Sequence, residues 1–214
     1  MNKNVSQAGP GKRRQQQRAA ETRDALLDVA TEAFANHTFD GVSVRALETS
    51  AGVQRGAAAY HFADKEGLWK AAVDRILAVL QSRIEPLAPV LNDLGDEGKL
   101  RAVITAFVRF SAEAPELNRL IIQEGRTESW RLHYLISTFH RNRLAWLQDF
   151  VGIVQDPHLF YMTVGAATLV FNVEHECREL FGVDPMKDDF IREHANRVAD
   201  MAVYLHKQKK AEIP

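Results

Sequence analysis

Apolar positions recur at helical spacing along most of this 214-residue chain, and no segment alternates with period two between hairpin turns, so an all-α fold is predicted. Leu26, Leu27, Ala30, Ala33 and Phe34 give one apolar face to a first helix over 19–37. Ser43 is a good N-cap, and Val44 and Leu47 carry a short second helix to about Ala51. Gly52 breaks that helix, Val53 plugs the turn, and a third short helix is predicted from about Gln54 to His61. Asp64 then caps a longer helix reaching Ile84, which Pro86 and Pro89 end. After a turn at 95–98, Leu100, Val103, Ile104, Phe107, Val108 and Ser111 form the next apolar face. Pro115 opens a helix whose line runs through Leu117, Leu120 and Ile121 to Gly125. Long helices are predicted over 129–154, His158 to Phe181, and Pro185 to about Lys209.

The stretch from Ser43 to Trp69 therefore reads as helix, tight glycine turn, short helix, and the start of another helix. That is the geometry of a helix-turn-helix, whose second helix lies in the DNA major groove. The residues after Gly56, AAAYHF, keep that helix slim, so its backbone can approach base edges and phosphates, with Tyr60 and His61 as its polar reach. Lys65 sits in the first turn of the next helix, where a cation opposes the helix dipole. A DNA phosphate outside explains that placement, and plain solvation is the competing reading.

Charge and composition sharpen this picture. At 46% hydrophobic and 26% charged residues, the chain is sized for one small domain and one medium domain with a core. No run of eighteen apolar residues occurs and the N-terminus lacks the apolar centre of a signal peptide, so neither membrane insertion nor secretion is expected. The single cysteine, Cys177, suits a reducing cytoplasm. A net charge of −1 argues against a nucleic-acid partner, but its distribution reverses that argument. Lys3, Lys12, Arg13, Arg14 and Arg18 fall within the first twenty residues with no acid among them. Residues 1–18 are expected to be a disordered basic arm that follows phosphates or enters the minor groove; a solubilising tail is the alternative. The helix-turn-helix domain is placed at 19–72 and a larger helical domain at 73–214.

The run from Thr22 to Ile76 resembles the DNA-binding domain of the TetR family of bacterial transcriptional regulators. The resemblance rests on Leu27, Ala30, Phe34, Phe39, Gly41, Ser43, Val44, Arg45, Leu47, Ala51, Gly52, Val53, Tyr60, His61, Phe62, Lys65, Glu66 and Leu68 taken together. Three departures from the family pattern, at four positions, stand out. Glu48 stands where a small residue is usual, and is expected either to angle outward or to pair with a base such as Arg55. Ala57 and Ala59 replace a hydroxyl and a phosphate-contacting tyrosine. Gln54 replaces the usual small N-cap. The candidate DNA contacts are Ser43, Arg45, Gln54, Arg55, Gly56, Tyr60, His61 and Lys65, with Arg13, Arg14 and Arg18 from the arm. Arg55 is the foremost base reader, because a guanidinium makes two hydrogen bonds to guanine.

The 158–181 segment is apolar on more than one side, and its small residues permit close helix approach. Met162, Gly165, Ala166, Leu169 and Val173 are accordingly the candidate subunit interface; a wholly internal core helix is the alternative. In the family this chain resembles, the last two helices pair with their symmetry mates as a four-helix bundle. A homodimer implies a roughly palindromic operator on double-stranded DNA. The resemblance also implies a small-molecule effector, with Phe107, Phe110, Trp130, Tyr134, Trp146, Phe171, His175 and Arg178 as candidate lining residues. Ordinary core membership competes with that role for each of them.

Catalysis is not expected. The 174–177 run Glu-His-Glu-Cys points its side chains in different directions, the pair His175/Glu179 offers two ligands where zinc wants three or four, and no phosphate-binding loop, nucleophile elbow or HExxH motif is present. No cofactor or metal is implied. The expected function is a ligand-responsive DNA-binding regulator, a repressor released from its operator by its effector; the alternative is a helical binding or scaffold protein without DNA function.

Overall fold

The computed structural model describes residues 10–141 and 156–212, and every regular element among them is helical. The chain divides into two compact units, Met1–Val73 and Asp74–Pro214.

In the first unit, α1 spans Pro10–Asn36, α2 Val44–Ser50 and α3 Ala57–Phe62, while α4 starts at Lys65 and continues past the division to Ile84. Helix α1 begins well before the expected Ala19, so Arg13, Arg14 and Arg18 stand on a helix rather than in the disordered arm expected over 1–18. Pro10 occupies its first position, where a missing N–H costs nothing, and the glutamines and arginines that follow are good helix formers. The Gln17 amide donates to Glu21 at 3.0 Å, one turn on. Leu26, Leu27, Ala30 and Phe34 are buried on one side of α1, against which α2 and α3 pack. Val42, Leu47, Ala58, Phe62, Leu68, Trp69, Ala72 and Val73 add to the core of this small unit, and Trp69 is wholly buried.

In the second unit, a 3₁₀ turn at Glu85–Leu87 carries Pro86, followed by α5 at Ala88–Asn92 and α6 at Asp96–Glu113. Helix α6 thus starts inside the turn expected at 95–98, because Gly95 takes the extended N-cap conformation and Asp96 and Glu97 suit the positive end of the dipole. Helices α7 at Glu116–Glu124 and α8 at Trp130–Arg141 pack on each other. Then come α9 at Pro157–Asn172, α10 at Glu174–Phe181 and α11 at Asp188–Glu212. Helix α6 packs against both α9 and α11, and Leu100, Ile104, Val108, Leu159, Phe171, Val198 and Ala199 form the heart of the core between them.

The single helix expected from His158 to Phe181 is therefore two. Val173 leaves the helical region at φ −122°, ψ 37°. One turn earlier, the Asn172 amide donates to the Thr168 carbonyl at 2.8 Å, competing for a backbone acceptor, while Glu174 and Glu176 favour a new N-terminus just beyond. Apolar periodicity runs straight through this break and conceals it.

His194 on α11 joins these helices. Its Nε2 lies 2.9 Å from the Ala166 carbonyl, which makes it the donor, and its ring stacks on Phe190 and meets Phe171 edge-on. Burial lowers its pKa below the ordinary 6.5, the Ala166 carbonyl opposes that shift, and Arg197 adds to it. The unfolded chain thus binds a proton more readily than the folded one, and this contribution to stability is present above about pH 6.5 and lost as pH falls through the depressed folded value. Thermal melts should show the second unit losing stability as pH drops below about 6.5, with His194→Gln flattening that limb. Unaltered pH dependence in the variant contradicts the assignment. Asp184 and Glu97, whose pKa values are lowered by hydrogen bonds from Met186 and Lys207 respectively, act only at lower pH.

Candidate nucleic-acid interface

Local hydrogen bonding sets the course of the chain from α2 to α4. Ser43 caps α2 by accepting from the Ala46 N–H at 3.4 Å. Gly52 then turns left-handed at φ 64°, and the Val53 N–H donates to the Glu48 carbonyl at 3.0 Å. Gln54 and Arg55 lie in a second turn closed by Ala57 N–H to Gln54 carbonyl at 3.0 Å. Gly56 is left-handed at φ 89°, a conformation incompatible with a helix interior. Helix α3 consequently begins at Ala57 rather than at the expected Gln54, and Gln54, Arg55 and Gly56 precede it.

Glu48 follows neither expected course. Its side chain is buried at 6% exposure, and Oε1 accepts from the N–H groups of Gly56 and Ala58, each at 3.0 Å. The carboxylate caps α3 from the neighbouring helix, at the end where the dipole favours negative charge. Local pattern gave no sign of this role; the one signal was an acid where a small residue is usual.

The α3–α4 junction is a tight γ-turn. Ala63 adopts φ 67°, ψ −56°, and the Asp64 N–H donates to the Phe62 carbonyl at 2.8 Å. Asp64 caps α4 through the Gly67 N–H at 2.7 Å. A Cβ on Gly67 would lie 2.0 Å from the Phe62 carbonyl oxygen, so only glycine lets the end of α3 approach this closely.

Around this frame, Ser43, Arg45, Gln54, Arg55 and Gly56 are exposed, and Tyr60 is exposed at 82% with its ring edge-on to His61, which is half-buried. Lys65 is half-buried, its ammonium 4.7 Å from the centre of the Phe39 ring. That contact gives Lys65 a structural partner at the disfavoured start of α4. Arg23 sits 5.2 Å over the Phe62 ring, an anchor for α3 that residue type alone did not suggest. Arg13, Arg14 and Arg18 are exposed on the first turns of α1. Replacing these three by glutamine should lower the slope of log affinity for DNA against log salt by about 1 for each phosphate contact removed. An unchanged slope assigns the basic turns no phosphate.

The candidate effector residues scatter through the second unit. Phe110 and Phe171 are buried and Phe107 is half-buried, with Phe107 and Phe171 in the core. Tyr134 donates its hydroxyl to Asp74 at 2.9 and 3.0 Å. Trp130 is exposed beside Arg131, and Trp146 lies outside the described residues. The His175 side chain, 87% exposed, and Arg178, paired with Asp184 and Glu174, occupy the surface helix α10 and do not join the buried aromatics. Asn118, Glu124 and Thr163 were not expected, yet each is buried with one polar atom lacking a hydrogen-bond partner. Glu124 also holds Arg131 at 2.7 Å. Among the described residues no cluster of three or more metal-ligating side chains occurs, and no helix is long and apolar enough to cross a membrane.

Met162, Gly165 and Leu169 share an exposed stripe of α9 with Tyr161, while Ala166 and Val173 are half-buried beside it.

A family model described as bacterial regulatory proteins, tetR family, matches residues 26–72. The chain is 31% identical over 118 residues to the HTH-type transcriptional regulator SrpR of Pseudomonas putida, covering 54% of this chain and 52% of that one, so it spans about half of that relative's length. Over an alignment of the same length it is 31% identical to the uncharacterized HTH-type transcriptional regulator TtgW, also of Pseudomonas putida, covering 54% of this chain and 83% of that one. Among solved structures, a TetR-like transcriptional regulator from Rhodococcus sp. RHA1 shares the fold at a TM-score of 0.58 and 20% identity, over 89% of this chain and 96% of that one. The chain belongs to the TetR family of bacterial regulatory proteins.

Proposed function

We propose that the protein is a sequence-specific DNA-binding transcriptional regulator that works as a homodimer, a repressor released from a palindromic operator by a small-molecule effector. The observation that carries this reading is the slim α3, which opens with Ala57, Ala58 and Ala59, is entered through exposed Gln54 and Arg55, and presents exposed Tyr60. Residues at the N-terminal end of such a helix are those that reach base edges in the major groove. Arg55 reads guanine, Ser43 and Lys65 lie against phosphates, and Tyr60 and His61 touch backbone or thymine methyls.

The exposed stripe of Met162, Gly165 and Leu169 on α9 supports pairing of two copies, since its small and apolar residues allow close helix contact. The buried, incompletely bonded Asn118, Glu124 and Thr163 support a ligand with its own donors and acceptors in the second unit. Such a ligand lowers operator affinity only through different affinities for the DNA-bound and free conformations.

Gel shifts with the DNA upstream of the protein's own coding sequence test this function. A complex that survives excess unrelated DNA is expected, and a small molecule that raises the melting temperature should weaken it. Complexes that vanish under competitor DNA contradict the reading.

A further inference from the structure

We infer that Glu48 is the positioning residue of the DNA-reading turn: from α2 it clamps both ends of the segment that presents Arg55. The inference rests on the proposal that α3 faces DNA. At the near end of that segment, the Glu48 carbonyl accepts from Val53 N–H at 3.0 Å. At the far end, Glu48 Oε1 accepts from Gly56 N–H and Ala58 N–H, each at 3.0 Å. Gln54 and Arg55 stand exposed between these anchors.

Nothing local does this work. Gly56, the N-cap of α3, has no side chain to offer, so the first N–H groups of α3 have no cap of their own. A serine or aspartate at that cap would satisfy the helix end without tying it to anything else. Glu48 satisfies it from a neighbouring helix, so a single contact fixes both the start of α3 and its place on α2. A polar side chain this deeply buried is tolerated because it is hydrogen-bonded. The same contact occupies two amides of the kind that bind phosphate at helix N-termini, which leaves DNA recognition here to side chains, Arg55 first.

The test uses full-length protein and the best duplex that wild type selects from a randomised double-stranded library. Glu48→Ala removes the side-chain end of the clamp and leaves the backbone bond from Val53, Glu48→Asp keeps a carboxylate but falls one methylene short, and Glu48→Gln keeps an acceptor oxygen at the same reach. Glu48→Ala and Glu48→Asp should each lose about tenfold in affinity for the selected duplex and flatten the preference at the base pair that Arg55→Ala also relaxes. Binding to a scrambled duplex should stay within about twofold of wild type for both, and Glu48→Gln should keep the wild-type preference. In an Arg55→Ala background, Glu48→Ala should cost no further affinity, because the residue it positions is gone. Circular dichroism and solution mass identify variants that fold; if Glu48→Ala does not, the Asp and Gln variants carry the comparison. An undisturbed base preference in Glu48→Asp, or losses that add in the double variant, overturn the inference while leaving the DNA-binding proposal intact. A wild-type protein that enriches no duplex overturns both.

Discussion

Arg55→Ala should weaken binding to a selected operator by about 1–3 kcal/mol per half-site and relax preference at one base position, with much smaller loss on unrelated DNA. The expectation follows from placement. Arg55 is exposed in the turn that leads into α3, and Gly56 behind it holds the left-handed conformation that lets the chain change direction there. A guanidinium at the entrance of a recognition helix offers two parallel donors to guanine O6 and N7, which no other side chain reproduces, lysine included. Competition binding with a panel of single-base-pair variants checks the point. A loss spread evenly over all sequences would show Arg55 to be a phosphate contact, because phosphates carry charge and no base identity.

Trp69→Ala should destabilise the first unit by about 3–5 kcal/mol. Trp69 is wholly buried on α4, with Leu68, Ala72 and Val73 beside it, also wholly buried. Removing so large a side chain forfeits its transfer free energy and leaves a cavity that packed neighbours fill only in part. The unit runs only to Val73, so its total stability is modest and a loss of this size is a large share of it. Hydrogen exchange resolved by segment is the appropriate measurement. Amides of α1, α2 and α3 should lose protection in the variant while those of α6 and α11 keep theirs. Equal loss in both units would contradict their division, and no loss would contradict the packing of Trp69.

How far the chain could be read in advance depended on the range of the interactions involved. Caps whose partners lie three residues away were legible: Ser43 bonds to Ala46 and Asp64 to Gly67, and both residue types declare that tendency. Gly52 was legible because a left-handed turn needs glycine. Glu48 was not, because its partners Gly56 and Ala58 become neighbours only once α2 and α3 pack. The early start of α1 was hidden because Gln15, Gln16, Gln17 and Arg18 present no apolar periodicity, although they favour helix. The break at Val173 was hidden for the opposite reason, since apolar residues continue across it. His175 and Arg178 lie beyond that break on α10, where His175 is exposed and Arg178 pairs with Glu174 and Asp184. Asn118 and Glu124 escaped notice because polar residues amid apolar neighbours look like surface until their burial is known.

The most direct measurement is selection of duplexes from a fully randomised pool by the purified full-length protein, with the mass of the resulting complex determined in the same solution. Two copies bound to a twofold-symmetric sequence, with half-sites centred about one helical turn apart, roughly 10 base pairs, is the expected result. A pool that remains unenriched, or a lone half-site held by one copy, would contradict it.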